Sequence, residues 1–73
     1  MDRGWAQFVA DVLGAYTYNG NEAARMIRRL KEKNTFALAM ALWSEGDGKN
    51  AEIVLETALV EMGYEKHSER TGK

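Results

Sequence analysis

Apolar residues recur along this chain at helical spacing rather than in strand-like alternation. Trp5, Phe8, Val9, Val12, Leu13 and Tyr16 follow i, i+3, i+4, i+7, i+8 and i+11. That spacing sets them on one stripe of a first helix, opposite Arg3, Gln7, Asp11 and Gly14. Ala23, Met26, Ile27 and Leu30 mark the inward stripe of a second helix. The run FALAMALW, from Phe36 to Trp43, is apolar all round, with Phe36, Met40 and Trp43 on one face and Leu38 and Leu42 on the other. A helix apolar on every side predicts a position at the centre of the fold. In the last segment Ala51, Val54, Leu55, Ala58 and Met62 predict the inward stripe. Ile53, Val60 and Tyr64, with Thr57 between them, form a second apolar stripe on the other side.

The punctuation between these runs is of helical type. Asp2 is the expected N-cap of the first helix, and Asn19-Gly20, a pair suited to positive φ, closes it. Asn21 is expected to cap the second helix, with Glu22 in its first turn and Lys31 and Lys33 in its last, an order that complements the helix dipole. Asn34-Thr35 is expected to end that helix and cap the third. Ser44 to Gly48 reads as a turn, Asp47 or Asn50 as the next cap, and Gly63 as the residue that ends the fourth helix. The expectation is an all-α fold: a compact bundle of three to four short helices spanning residues 1–65, with helix one lying across helix three through Trp5, Phe8 and Val12. Residues 66–73 lack apolar periodicity and are expected to be a flexible, disordered tail.

Composition narrows the class. With 73 residues, 45% of them hydrophobic and 29% charged, the chain has the balance of one globular domain rather than of a disordered segment. A domain of this length buries only about 60% of the surface its unfolded form exposes, so a partner often adds to its stability. There is no cysteine, and neither a disulfide nor a thiolate metal site is available to staple the fold. The opening MDRGWAQF has no basic segment followed by a long apolar one, and Phe36 to Trp43 is far short of the ~20 residues that span a bilayer. A cytoplasmic protein without membrane contact is the expectation.

Charge is small in total and sorted along the chain. The net of -1 divides into -1 over residues 1–21, +3 over 22–33, -1 over 34–50, -4 over 51–65 and +2 over 66–73. Arg25, Arg28, Arg29, Lys31 and Lys33 face only Glu22 and Glu32 within the second segment. Guanidinium groups of this density suit phosphates or an acidic protein surface, although a solvated helix face has the same composition. The fourth helix carries Glu52, Glu56 and Glu61, with Glu65 beyond it. Like charges at i, i+4 (Arg25/Arg29, Glu52/Glu56, Glu61/Glu65) each cost roughly 0.2–0.5 kcal/mol. The expectation is therefore that the rims of helices two and four face each other in the monomer or pair across a dimer.

Catalytic chemistry has no visible constellation. His67 is the one histidine, so a metal site of ordinary ligand spacing is not assembled, and no catalytic, cofactor-binding or metal residues are expected. EGDGKN lacks the length and the Lys-Ser/Thr ending of a phosphate loop, and Lys49 stands where a calcium loop needs a carboxylate. What remains is a non-enzymatic protein-binding regulator. Arg25, Arg28, Arg29 and Lys33 would steer it to an acidic protein surface, and Ile53, Val60 and Tyr64 would anchor it. By class-level analogy this is the kind of chain that phages and plasmids use as an inhibitor or modulator of a large host enzyme such as the transcription machinery. The alternative is nucleic-acid binding by the basic helix from Arg25 to Lys33, with Tyr16 and Tyr18 nearby for stacking. Against it stand a sequence pI of about 5.8 and a third helix with no polar side chain to read a base edge. A homodimer is the further option for the exposed apolar stripe.

Overall fold

A computed structural model describes residues 3–66 of the chain. They form four helices joined by short turns: α1 (Arg3–Gly14), α2 (Gly20–Lys31), α3 (Asn34–Ser44) and α4 (Gly48–Glu61). The all-α bundle expected from the spacing is the fold found. The anticipated cap at Asp2 and the tail beyond Lys66 lie outside the described residues.

Helices of 11 to 14 residues are marginal on their own in water, so packing of their apolar stripes holds them. Val9, Val12, Leu13 and Tyr16 meet Met26 and Leu30 of α2, Phe36 and Ala39 of α3, and Ala51, Leu55, Ala58 and Leu59 of α4 in one buried core. The stripe read for α1 is thus the inward one, with Trp5 and Phe8 packed at its edge. These two rings tie α1 to α3. Phe8 stacks on Trp43 at 4.5 Å between centroids, and Trp5 meets Phe36 edge-on at 5.6 Å and Trp43 at 6.0 Å. Backbone comes close to the same indole, since a Cβ added at Gly4 would meet Trp43 at 3.4 Å and one at Gly48 at 3.5 Å.

α3 and α4 form the most extensive contact of the bundle, and each also meets α1 and α2. α3 is nonetheless not enclosed: it buries only Phe36 and Ala39, half-buries Leu42 and Trp43, and leaves Leu38 and Met40 52% and 40% exposed. A helix apolar all round does not state which arc its neighbours cover, and here four short helices leave one arc bare. On α4, Leu59 joins Ala51, Leu55 and Ala58 in the core at 0% exposure, extending the inward arc beyond the residues expected there.

Two caps also differ. Asn19, extended at φ -97°, is the N-cap of α2; its Oδ1 accepts from the N–H groups of Asn21 at 2.8 Å and Glu22 at 3.1 Å. The side-chain cap thus precedes Gly20, and neither Asn19 nor Gly20 takes positive φ. Between α2 and α3 only Glu32 and Lys33 intervene, so the turn is too short to hold Asn34 and Thr35, which fall inside the first turn of α3. Lys33 is the N-cap there, without a side-chain cap bond. The later punctuation is as expected: Asp47 caps α4 by accepting from the Asn50 N–H at 3.3 Å. Gly46 (φ 86°) and Gly63 (φ 99°) end α3 and α4 in paired-hydrogen-bond turns that need a left-handed residue. In the first, the Gly46 N–H donates to Trp43 O and the Asp47 N–H to Leu42 O. In the second, the Gly63 N–H donates to Val60 O and the Tyr64 N–H to Leu59 O.

The orientation of α4 can be checked by two neighbouring truncations. Leu59→Ala should destabilise the fold by about 2–5 kcal/mol and Val60→Ala by no more than about 0.5 kcal/mol, read from urea unfolding midpoints. Equal losses at the two positions would contradict the orientation.

Candidate docking surfaces

Because Met26 and Leu30 point inward on α2, Arg25, Arg28 and Arg29 are left on its solvent side, with Lys33 at the turn that follows; all four are exposed. Arg25 Nη2 pairs with Glu22 Oε1 at 2.8 Å. That hydrogen bond holds the Glu22 carboxyl below its ordinary value of 4.5, with further help from the charge of Arg25, the Tyr64 hydroxyl and the charge of Arg29. Arg29 reaches across to the end of α4, where its guanidinium lies 6.0 Å from the centre of the Tyr64 ring and donates to the phenol oxygen at 3.4 Å. Arg28, Lys31 and Lys33 form no ion pair among the described residues.

The apolar stripe expected on the outside of α4 is divided. Ile53 and Val60 stand 53% and 59% exposed on the solvent side. Tyr64 does not continue their line. The helix ends at Glu61 with Met62 as its C-cap, and the left-handed Gly63 turns the backbone so that Tyr64 packs, half-buried, against the core and under Arg29. A count of i+4 from Val60 assumes helical geometry that stops before Tyr64 is reached. The structure thus keeps Ile53 and Val60 as one outward pair and transfers Tyr64 to the junction with α2.

That junction also corrects the expected pairing of rims within the monomer. Among the described residues the ion pairs are Arg25–Glu22 within α2 and Lys66–Glu56 at 3.0 Å. None joins α2 to α4. Lys66 lies beside Glu52 as well as Glu56, and the Glu56 carboxylate raises its ammonium above the ordinary 10.5. The like-charge pair on that edge of α4 is thereby relieved by the residue at the start of the anticipated tail. Beyond the shared core, α2 meets the end of α4 at the Arg29–Tyr64 contact and at two shallow polar grooves, one lined by Arg29, Glu32, Lys33 and Met62 and the other by Glu32, Lys33, Asn34, Thr35 and Glu61. The cationic end of α2 therefore adjoins the carboxyl end of α4, beyond the exposed Val60.

Exposure elsewhere adds residues that spacing did not single out. Tyr18 is 84% exposed in the α1–α2 turn, where no helical phase foretells its direction, and Leu38 and Met40 lie on the bare arc of α3. Roughly 12 Å of helix separates Gly20, just after Tyr18, from Arg28. An apolar open groove of about 280 Å³ runs between α1, α2 and α3, lined by Trp5, Ala6, Val9, Ile27, Lys31 and Phe36. Among the described residues no group of three or more His, Cys, Asp or Glu is placed to hold a metal ion. No helix there is long and apolar enough to cross a membrane. His67 is outside the described residues.

The effect of Arg25 on Glu22 has a pH signature. Because the folded pKa is depressed, the contribution to stability is complete above the ordinary carboxylate value and is lost as pH falls through the lower folded value. In an NMR titration the Glu22 carboxyl should therefore titrate below 4.5, and Arg25→Ala should move its midpoint upward. An unchanged midpoint in that variant would show that the pair does not form in solution.

No protein-family model, curated protein or solved structure matches the chain.

Proposed function

We propose that this chain is a non-enzymatic protein-binding regulator that docks on a partner bearing carboxylates beside an apolar patch. The observation that carries the reading is the side-by-side placement of two surfaces: Ile53 and Val60, more than half exposed on α4, and the cationic end of α2 that adjoins the end of the same helix. Large aliphatic side chains in water on a small domain are the usual material of an apolar anchor. Arg28 and Lys33, exposed and without an ion pair among the described residues, provide the long-range attraction that orients an acidic partner before contact. Arg29 contributes less directly, because its guanidinium is engaged with Tyr64, and Arg25 is partly neutralised by Glu22.

The partner chemistry that fits is an acidic amphipathic helix, whose apolar face would cover Ile53 and Val60 while its carboxylates meet Arg28 and Lys33. By class-level analogy the role is that of a small inhibitor or modulator, of phage or plasmid type, seated on a large enzyme such as the transcription machinery.

Affinity capture from the source cells, with wild type beside Arg28→Glu/Lys33→Glu and beside Ile53→Asp/Val60→Asp, tests the reading. All four positions are exposed, so circular dichroism should show unchanged helicity. A protein retained by wild type should be lost from both variants, with affinity for the purified partner reduced roughly tenfold or more. Equal capture by all three proteins would end the proposal. A gel shift with random nucleic acid at low salt and micromolar protein would instead establish the basic helix as a nucleic-acid surface.

A further inference from the structure

The seam between α1 and α2 carries two open grooves that take no part in the docking surface proposed for α2 and α4. The first, about 280 Å³, is lined by Trp5, Ala6, Val9, Ile27, Lys31 and Phe36. The second, about 210 Å³, lies towards the α1–α2 turn, between Leu13 and Gly14 of α1 and Gly20 and Ala23 of α2. Ile27 borders both. We propose that this seam binds a free alkyl carboxylate, a fatty acid of medium chain length, with its carboxylate on Lys31 and its chain running along α1 towards Gly14.

Charge selects the ligand. In a chain with 29% charged residues, the lining of the two grooves holds a single ionised side chain, that of Lys31. Lys31 is exposed and forms no ion pair among the described residues, so an entering carboxylate displaces no ionic partner there. A lysine stem lies along apolar surface while its ammonium stays in water. Here that sets the cation at the mouth of a groove walled by Trp5, Val9, Ile27 and Phe36. At the far end Thr17, Tyr18 and Asn19 are polar but uncharged. One cation at one end of an otherwise uncharged channel fits a ligand with one anionic end and an apolar remainder.

Size points the same way. Each groove falls below the roughly 300–1,000 Å³ of a pocket for a drug-sized ligand, which suits a slender chain. From Ala6 to Gly14 the axis of α1 rises about 12 Å, a length that the extended chain of decanoate matches. Along that path α1 presents Ala6, Ala10 and Gly14, all exposed, and a Cβ built on Gly14 would meet nothing within 4 Å. A protein partner, by contrast, is oriented by several charges at its rim, and the lining of the seam supplies only Lys31.

Titration with decanoate, decanol and decylammonium, each below its micelle concentration, reads the outcome by NMR. Decanoate should give a saturable shift of the Trp5 indole and Ile27 methyl signals and leave Ile53 and Val60, the exposed apolar pair of α4, unmoved. Lys31→Glu should weaken decanoate roughly fivefold to tenfold and strengthen decylammonium by a similar factor, with unchanged helicity because Lys31 is exposed. Lys49→Glu makes the same change of net charge in the first turn of α4, outside both linings, and should leave decanoate affinity as in wild type. No saturable binding, equal affinity for the three ligands, shifts that spread to Ile53 and Val60, or undiminished decanoate binding by Lys31→Glu would each overturn the proposal. So would binding to vesicles of phosphatidylcholine and phosphatidylglycerol without any response to decanoate, which would assign the seam to a membrane surface. None of these readouts depends on the acidic partner proposed for α2 and α4.

Discussion

Everything in this molecule follows from the shortness of its helices. At 11 to 14 residues none is stable by hydrogen bonding alone, so each exists because its apolar stripe meets the others around Leu13, Met26, Leu30, Leu55 and Leu59, side chains with 2% exposure or less. α3 and α4 form the most extensive pair, and α1 and α2 pack on both. α1, held to α3 by the Trp5, Phe8, Phe36 and Trp43 rings, closes one side. Four helices of this length enclose one core, and among the described residues no fifth element covers the backs of α3 and α4.

That geometric deficit leaves Leu38, Met40, Ile53 and Val60 in water. The electrostatics of the surface are sorted around them. Cations gather on α2 and carboxylates on α4, while α3 carries neither. Part of this charge is balanced locally: Arg25 by Glu22, Glu56 by Lys66, and Arg29 by the face and hydroxyl of Tyr64. Arg28, Lys31 and Lys33 stay without an ion pair among the described residues. The two apolar backs therefore lie in different electrical surroundings: α4 carries glutamates and adjoins the cationic end of α2, whereas α3 has no charged side chain of its own.

Some of the candidate surface was legible in the residues and some was not. The exposure of Ile53 and Val60 was, because both sit opposite the Leu55 side of a regular helix. The directions of Arg25, Arg28 and Arg29 were legible for the same reason, since Met26 and Leu30 define the opposite side. Tyr64 was misplaced because its position was extrapolated along a helix that Gly63 had already ended. Leu38 and Met40 were misplaced because an evenly apolar helix has no phase from which to read its buried side.

The order and type of the elements were determined by the sequence itself: apolar spacing of three and four residues, the Asp47 cap and the glycines at 46 and 63 are local signals, each acting within a turn or two of the backbone. Tertiary structure alone decided which arc of α3 remained bare, and that Arg29 met Tyr64 rather than a glutamate of α4. Those outcomes depend on how four stripes share one core. Such sharing is a competition among residues distant in the chain, to which no single stretch of sequence holds the answer.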